Sequence, residues 1–157
     1  SRGPMGPVMK AFEMIGTAQV AKSAEQAREM GFLRPTDRVT MNRDRLLADA
    51  KSRLLELAID YQPPEPHTYH LPGPTGKAAL EMAVRDLARS GKATPHDIVV
   101  TGELAHILSG GETDILDELS EDDILEMELA GISKLSRNEA SLARMEHMVS
   151  KGKPLRN

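Results

Sequence analysis

Between Tyr61 and Thr75 the chain reads YQPPEPHTYHLPGPT and carries five of its ten prolines. No other stretch restricts the fold as much. Each proline lacks a backbone N–H and pushes the residue before it out of the helical region, so no helix can run through. The segment 61–75 is expected to be an extended linker, with Tyr69 to Leu71 able to pair briefly as a strand. It divides the 157 residues into a first lobe, 1–60, and a second, 76–157.

Both lobes read as helix. Pro7 suits a first helical turn, and Val8, Phe12, Ile15 and Ala18 follow at helical spacing, which predicts a helix over 8–21. Gly16 weakens it by about 1 kcal/mol. Ser23 with Gln26 has the form of a capping box, and Gly31 supplies a left-handed stop, so a short helix lies between them. Arg34-Pro35-Thr36-Asp37 reads as a turn. Asn42 or Asp44 then caps a helix over 43–60, whose Leu46, Leu47, Ala50, Leu54, Leu57 and Ala58 form a strong stripe of period 3.6. In the second lobe a helix is expected over 76–90, with Leu80, Val84, Leu87 and Ala88 inward. Thr94-Pro95-His96-Asp97 combines an N-cap, a first-position proline and a third-position acid, and opens a helix ending at Ser109. Ser120 with Asp123, and Ser136 with Glu139, repeat the box form and open helices over 121–134 and 137–150. The fold class that follows is all-α, with six to seven amphipathic helices in two lobes.

Composition agrees. Phe12, Phe32, Tyr61 and Tyr69 are the only aromatics, so the core must come from Leu, Ile, Val, Ala and nine Met. Straight-chain residues lose little freedom in helices. The net charge of −4 opposes a nucleic-acid partner, which needs a basic face to displace counterions. No apolar run reaches the 18 or so residues of a membrane span, and no signal-peptide pattern is present; both point to a cytoplasmic protein. With no cysteine, disulfides and thiolate chemistry are excluded.

The chemical motifs are sparse. Gly73-Pro74-Thr75-Gly76-Lys77 has two residues between its glycines where a phosphate loop has four, and Ala78 stands where that loop needs a hydroxyl. It reads as the turn from linker to helix. Glu103 and His106 share a helix face, but a di-iron bundle needs a second such pair and two further glutamates. His67 and His70 lie in the linker, while His96 and His147 read as helix-terminal or surface residues. The acidic run 112–128 lacks the alternating oxygens and central glycine of a calcium loop. No metal site and no catalytic residue is assigned. Arg34, Arg38, Arg43 and Arg45 form a basic cluster around the first lobe's loop. Arginines there can fork onto phosphate, or simply pair with Asp37, Asp44 and Asp49.

The wording of several stretches resembles a known family. AFEMIGTAQVAKSAEQAREMGFL is similar to the helix pair of crotonase-type hydratases. GFLRPTDRVTMNRDRLLADAK, HDIVVTGELAHILSGG and MEHMVSKGKPLRN resemble the tail of the fused 3-hydroxyacyl-CoA dehydrogenase/enoyl-CoA hydratase of bacterial fatty-acid β-oxidation. The resemblance implies crotonase-like C-terminal helices over 1–60 and a C-terminal helical lobe over 76–157. In that family the oxyanion-binding amides, the catalytic glutamates and the NAD-binding part lie upstream. It therefore implies a helical fragment that covers the acyl-CoA cleft and mediates subunit contacts. Such a fragment has no cofactor of its own, NAD serves the parent, and the missing N-terminal domains and further copies are its partners. Arg34 and Arg38 are the candidates for contact with CoA phosphates. Helices cut from a hydratase core would expose apolar surface, so 8–30 is expected to be rearranged or buried against another copy. A free-standing helical interaction module is the competing reading.

Overall fold

The computed structural model describes residues 3–157. Among them the architecture is all-α: α1 (Met5–Gly16), α2 (Ala24–Met30), α3 (Leu46–Leu57), α4 (Gly73–Arg89), α5 (Pro95–Ser109), α6 (Glu121–Leu135) and α7 (Glu139–Lys151), with a 3₁₀ turn at Arg43–Arg45 leading into α3. The only β pairing among the described residues is an isolated antiparallel bridge between Tyr69 and Leu119.

Local chemistry sets most helix ends. Thr94 and Asp97 form a reciprocal capping box, as do Ser120 and Asp123. Gly31, Gly110 and Gly152 close α2, α5 and α7 in the left-handed conformation. Four ends differ from the sequence expectation. α1 stops at Gly16 because Ala18 takes a left-handed φ of 50°. α3 proper begins at Leu46, since Asn42 caps the 3₁₀ turn by accepting from the Asp44 N–H at 2.9 Å. α4 begins at Gly73, inside the stretch expected as linker; Gly73 is buried with φ +60°, and a side chain there would strike the Thr113 carbonyl. Finally, α7 is capped by Asn138, whose side chain accepts from the Ala140 and Ser141 N–H groups. Ser136, expected as that cap, has helical dihedrals and closes α6. An N-cap needs extended backbone, which Asn138 has and Ser136 lacks. The Ser23 box is also shifted: Ser23 accepts from Gln26, but Gln26 accepts from Lys22 rather than from Ser23.

The chain forms two compact units. One joins the described residues through Ala18 with Pro66–Asn157. Here α5 is central and packs against α1, α4 and α6. Val8 and Phe12 of α1, Leu80 and Val84 of α4 and Ala105 of α5 make the core, ringed by Met5, Met9, Leu71, Leu104 and Leu108. α1 thus joins the C-terminal helices, not the first lobe of 1–60 in which it was expected. Within 8–30, Val8 and Phe12 are covered by their own chain, whereas 19–30 holds no buried residue.

The other unit, Gln19–Glu65, holds α2 and α3. None of its residues is buried. The leucine stripe that predicted α3 does form a helix, yet Leu47 is 82% exposed and Leu54 66%. The stripe was the strongest periodic signal in the chain and contributes nothing to the core.

Candidate functional site

The basic loop follows α2, and hydrogen bonds fix its shape. The Arg34 N–H donates to the Asp37 carboxylate at 2.8 Å, closing the Arg34–Asp37 turn expected from Pro35. The Arg28 guanidinium donates to the Asp37 carbonyl at 2.9 Å and ties that turn to α2. Of the two candidate arginines, Arg38 is spoken for: its guanidinium lies 3.0 Å from Glu56, which also pairs with Arg53 at 3.0 Å. Hydrogen bonds from Arg53 and then Arg38 hold the Glu56 carboxyl below its usual range. The guanidinium of Arg34 has no partner among the described residues and is exposed. Arg45 pairs with Asp49 at 3.4 Å. The acids expected to neutralise the cluster therefore do so only at Arg45. Arg38 instead uses Glu56, 18 residues further along the chain.

A second set of polar groups joins the N-terminus of α5 to α7. His96 Nε2 lies 2.9 Å from Ser141 Oγ, and both residues are buried. Arg144 donates to Asp97 at 2.8 Å, to the Thr94 hydroxyl at 3.1 Å and to the Asn157 side chain at 2.7 Å. Burial pushes the Asp97 carboxyl up, but hydrogen bonds from the Thr94 N–H, Arg144 and the Thr94 hydroxyl outweigh it and hold the group below its usual value. Sequence reading placed His96 correctly at a helix end but missed its burial and its partner 45 residues away. No local pattern carries a pairing of that separation.

Two concave features lie on α5. One is a groove of about 290 Å³ between the end of α1 and α6, with Leu104, Ile107 and Ile132 in its walls. Gly131 lets α6 approach: a Cβ there would stand 3.2 Å from Ile107. Asp97 and Arg144 stand at its polar margin. The other, of about 330 Å³, is lined by Lys77, Glu81, Glu103, His106 and Lys134. Its charges are already matched, Lys134 with Glu103 and Lys77 with Glu81 at 3.9 Å. Nδ1 of His106 is buried without a hydrogen-bond partner. The Glu103–His106 pair thus meets a lysine and not a metal-binding set; among the described residues no group of three or more His, Asp and Glu could hold a metal ion. His70 faces Glu118 at 3.8 Å, and His147 Nδ1 bonds the Lys153 carbonyl oxygen at 2.8 Å. No described helix is long and apolar enough to cross a membrane.

No arrangement here unites a nucleophile, an accessible cleft and a base. His96 and Ser141 come nearest, but neither lines either of these two grooves. What the geometry offers is an unpaired cation on a loop, an exposed apolar helix and a polar clasp between helices. No protein-family profile and no solved structure matches the chain. The chain is 41% identical over 155 residues to a probable 3-hydroxyacyl-CoA dehydrogenase of Bacillus subtilis (strain 168), a match that covers 98% of this chain and 20% of that relative, so the chain spans about a fifth of the length of the protein it resembles.

Proposed function

We propose that this chain is the C-terminal helical portion of a larger fatty-acid oxidation enzyme, a 3-hydroxyacyl-CoA dehydrogenase fused to a crotonase-type enoyl-CoA hydratase. The observation that carries the reading is identity of 41% along nearly the whole chain to a relative about five times as long. The exposed leucines of α3 and the absence of any buried residue in Gln19–Glu65 support it, because a helix written for burial and left bare suits a unit that packs on more protein. On this reading the helices cover the acyl-CoA cleft and contribute to contacts between subunits of a homo-oligomer. NAD and the reacting groups belong to the rest of the enzyme, which works in the cytoplasm. Arg34, an unpaired cation of the loop, contacts a CoA phosphate, while Arg38 has a lesser share because Glu56 already neutralises it.

The 157-residue chain alone is expected to neither hydrate crotonyl-CoA nor reduce NAD with a 3-hydroxyacyl-CoA. Turnover of either substrate by the chain would overturn the reading. In the full-length enzyme, Arg34→Ala should weaken acyl-CoA binding several-fold, and unchanged affinity would remove the phosphate contact. A free-standing interaction module is favoured by the same exposed stripe. The upstream reading frame separates the two: a continuous frame encoding a glycine-rich dinucleotide loop supports the enzyme, and a start codon near Met5 supports the module.

A further inference from the structure

α7, like α6 with its lone buried Gly131, is only lightly buried in its unit. Ser141 is its one buried residue. Its apolar side chains stay open to solvent: Leu142, Met145 and Met148 are about half exposed and Val149 almost wholly so. Apolar burial therefore contributes little to its attachment, and the polar clasp must do most of it. That clasp has two parts, His96 against Ser141 and Arg144 against Asp97 and Thr94. Both join the start of α5 to the first two turns of α7.

We propose that α7 is a releasable latch, held to α5 while His96 is neutral and freed when His96 takes up a proton. The hydrogen bond itself tolerates either state, since Ser141 can accept as well as donate. The burial does not: a charged imidazole in a 6%-exposed site loses its hydration. The charged groups acting on it are Arg144 from α7, which opposes a second positive charge, and Asp97 from its own helix, which favours one. Asp97 is already committed to Arg144 at 2.8 Å and to the Thr94 N–H at 2.8 Å. Burial first, and Arg144 second, accordingly hold the imidazole below its ordinary value of 6.5. The sign follows. The freed state binds the proton near pH 6.5 and the latched state resists it, so the latch is fully closed above that pH and loosens as pH falls below it. Because Arg144 and Asp97 also stand at the margin of the apolar groove on α5, release of α7 opens that margin. The inference concerns this chain's own contacts and does not depend on the enzyme reading.

The test is amide hydrogen exchange on the 157-residue chain between pH 7.5 and 5.5, corrected for intrinsic exchange. Protection in α7 should fall by up to about tenfold per pH unit below 6.5, while protection around Leu80 and Val84 in the core holds. His96→Gln, which cannot titrate, should remove the fall. His147→Gln, on the same helix but with its imidazole against the Lys153 carbonyl, should leave it intact. Flat α7 protection in the wild type, loss of the core and α7 together, or an unchanged fall in His96→Gln would each overturn the latch. Should His96→Gln not fold, the imidazole resonance of His96 and the α7 amide shifts in the wild type decide it. One shared midpoint supports the latch and separate midpoints refute it.

Discussion

Single residues differ here in ways their chemistry alone does not foretell. Leu80 and Leu47 are the same residue on the apolar stripes of two helices, yet Leu80 is fully buried and Leu47 is 82% exposed. Truncating the first leaves a cavity among Val8, Phe12, Val84 and Ala105; truncating the second removes contacts with water. Leu80→Ala is therefore expected to destabilise the chain by about 3 kcal/mol, and Leu47→Ala by no more than about 0.5 kcal/mol. Urea unfolding curves of the two variants check this, and equal losses would mean that α3 has found cover in solution. At the same scale, His96 and Ser141 are a serine–histidine pair with the distance of a catalytic dyad and none of its access. Proximity of the right groups is not a site when both are buried.

At the scale of elements, most helix starts and stops were legible. Thr94 with Asp97, Ser120 with Asp123, and the glycines after α2, α5 and α7 all act as their residue types suggest. These signals are readable because a cap and the amide it satisfies lie within three residues of each other. Where two cap residues compete, spacing alone cannot choose. Ser136 and Asn138 could each open α7; the backbone of Ser136 remains helical as the end of α6, and Asn138 takes the role. Asn138→Ala should cost about 1 kcal/mol and Ser136→Ala much less, read from thermal unfolding by circular dichroism. The reverse order would restore the serine as the cap. The start of α4 was misplaced for a similar reason, because proline signals a break and also suits a first helical turn, and Gly73–Pro74 is the second case.

For the molecule as a whole, the proline-rich stretch 61–75 reads as the boundary between lobes; the chain does divide within it, at 65–66, and divides again at 18–19. α1 belongs with helices that follow it by more than fifty residues, because Val8 and Phe12 complete the cluster around Leu80. The unit Gln19–Glu65 has helices, caps and ion pairs but no buried side chain, so little opposes its local opening. Limited proteolysis is expected to cut within 19–65 first and to leave Pro66–Asn157 as a persistent fragment, identified by mass spectrometry. Early cleavage within α4 or α5 with 19–65 intact would contradict that ranking. Addition of the rest of the proposed enzyme should protect 19–65, since that is where the unburied leucines lie.

The residue order by itself determined that this chain is helical, where most helices begin and end, and which faces are apolar. Those properties depend on neighbours three or four residues apart. Only the tertiary structure decided which apolar faces are covered, that α1 crosses to the C-terminal helices, that Arg38 spends its charge on Glu56, and that His96 meets Ser141. Each of these joins residues far apart in sequence, and α3 shows why periodicity cannot settle them. A stripe of leucines records that a helix was written to be buried, and burial itself requires a second surface that the stripe does not encode.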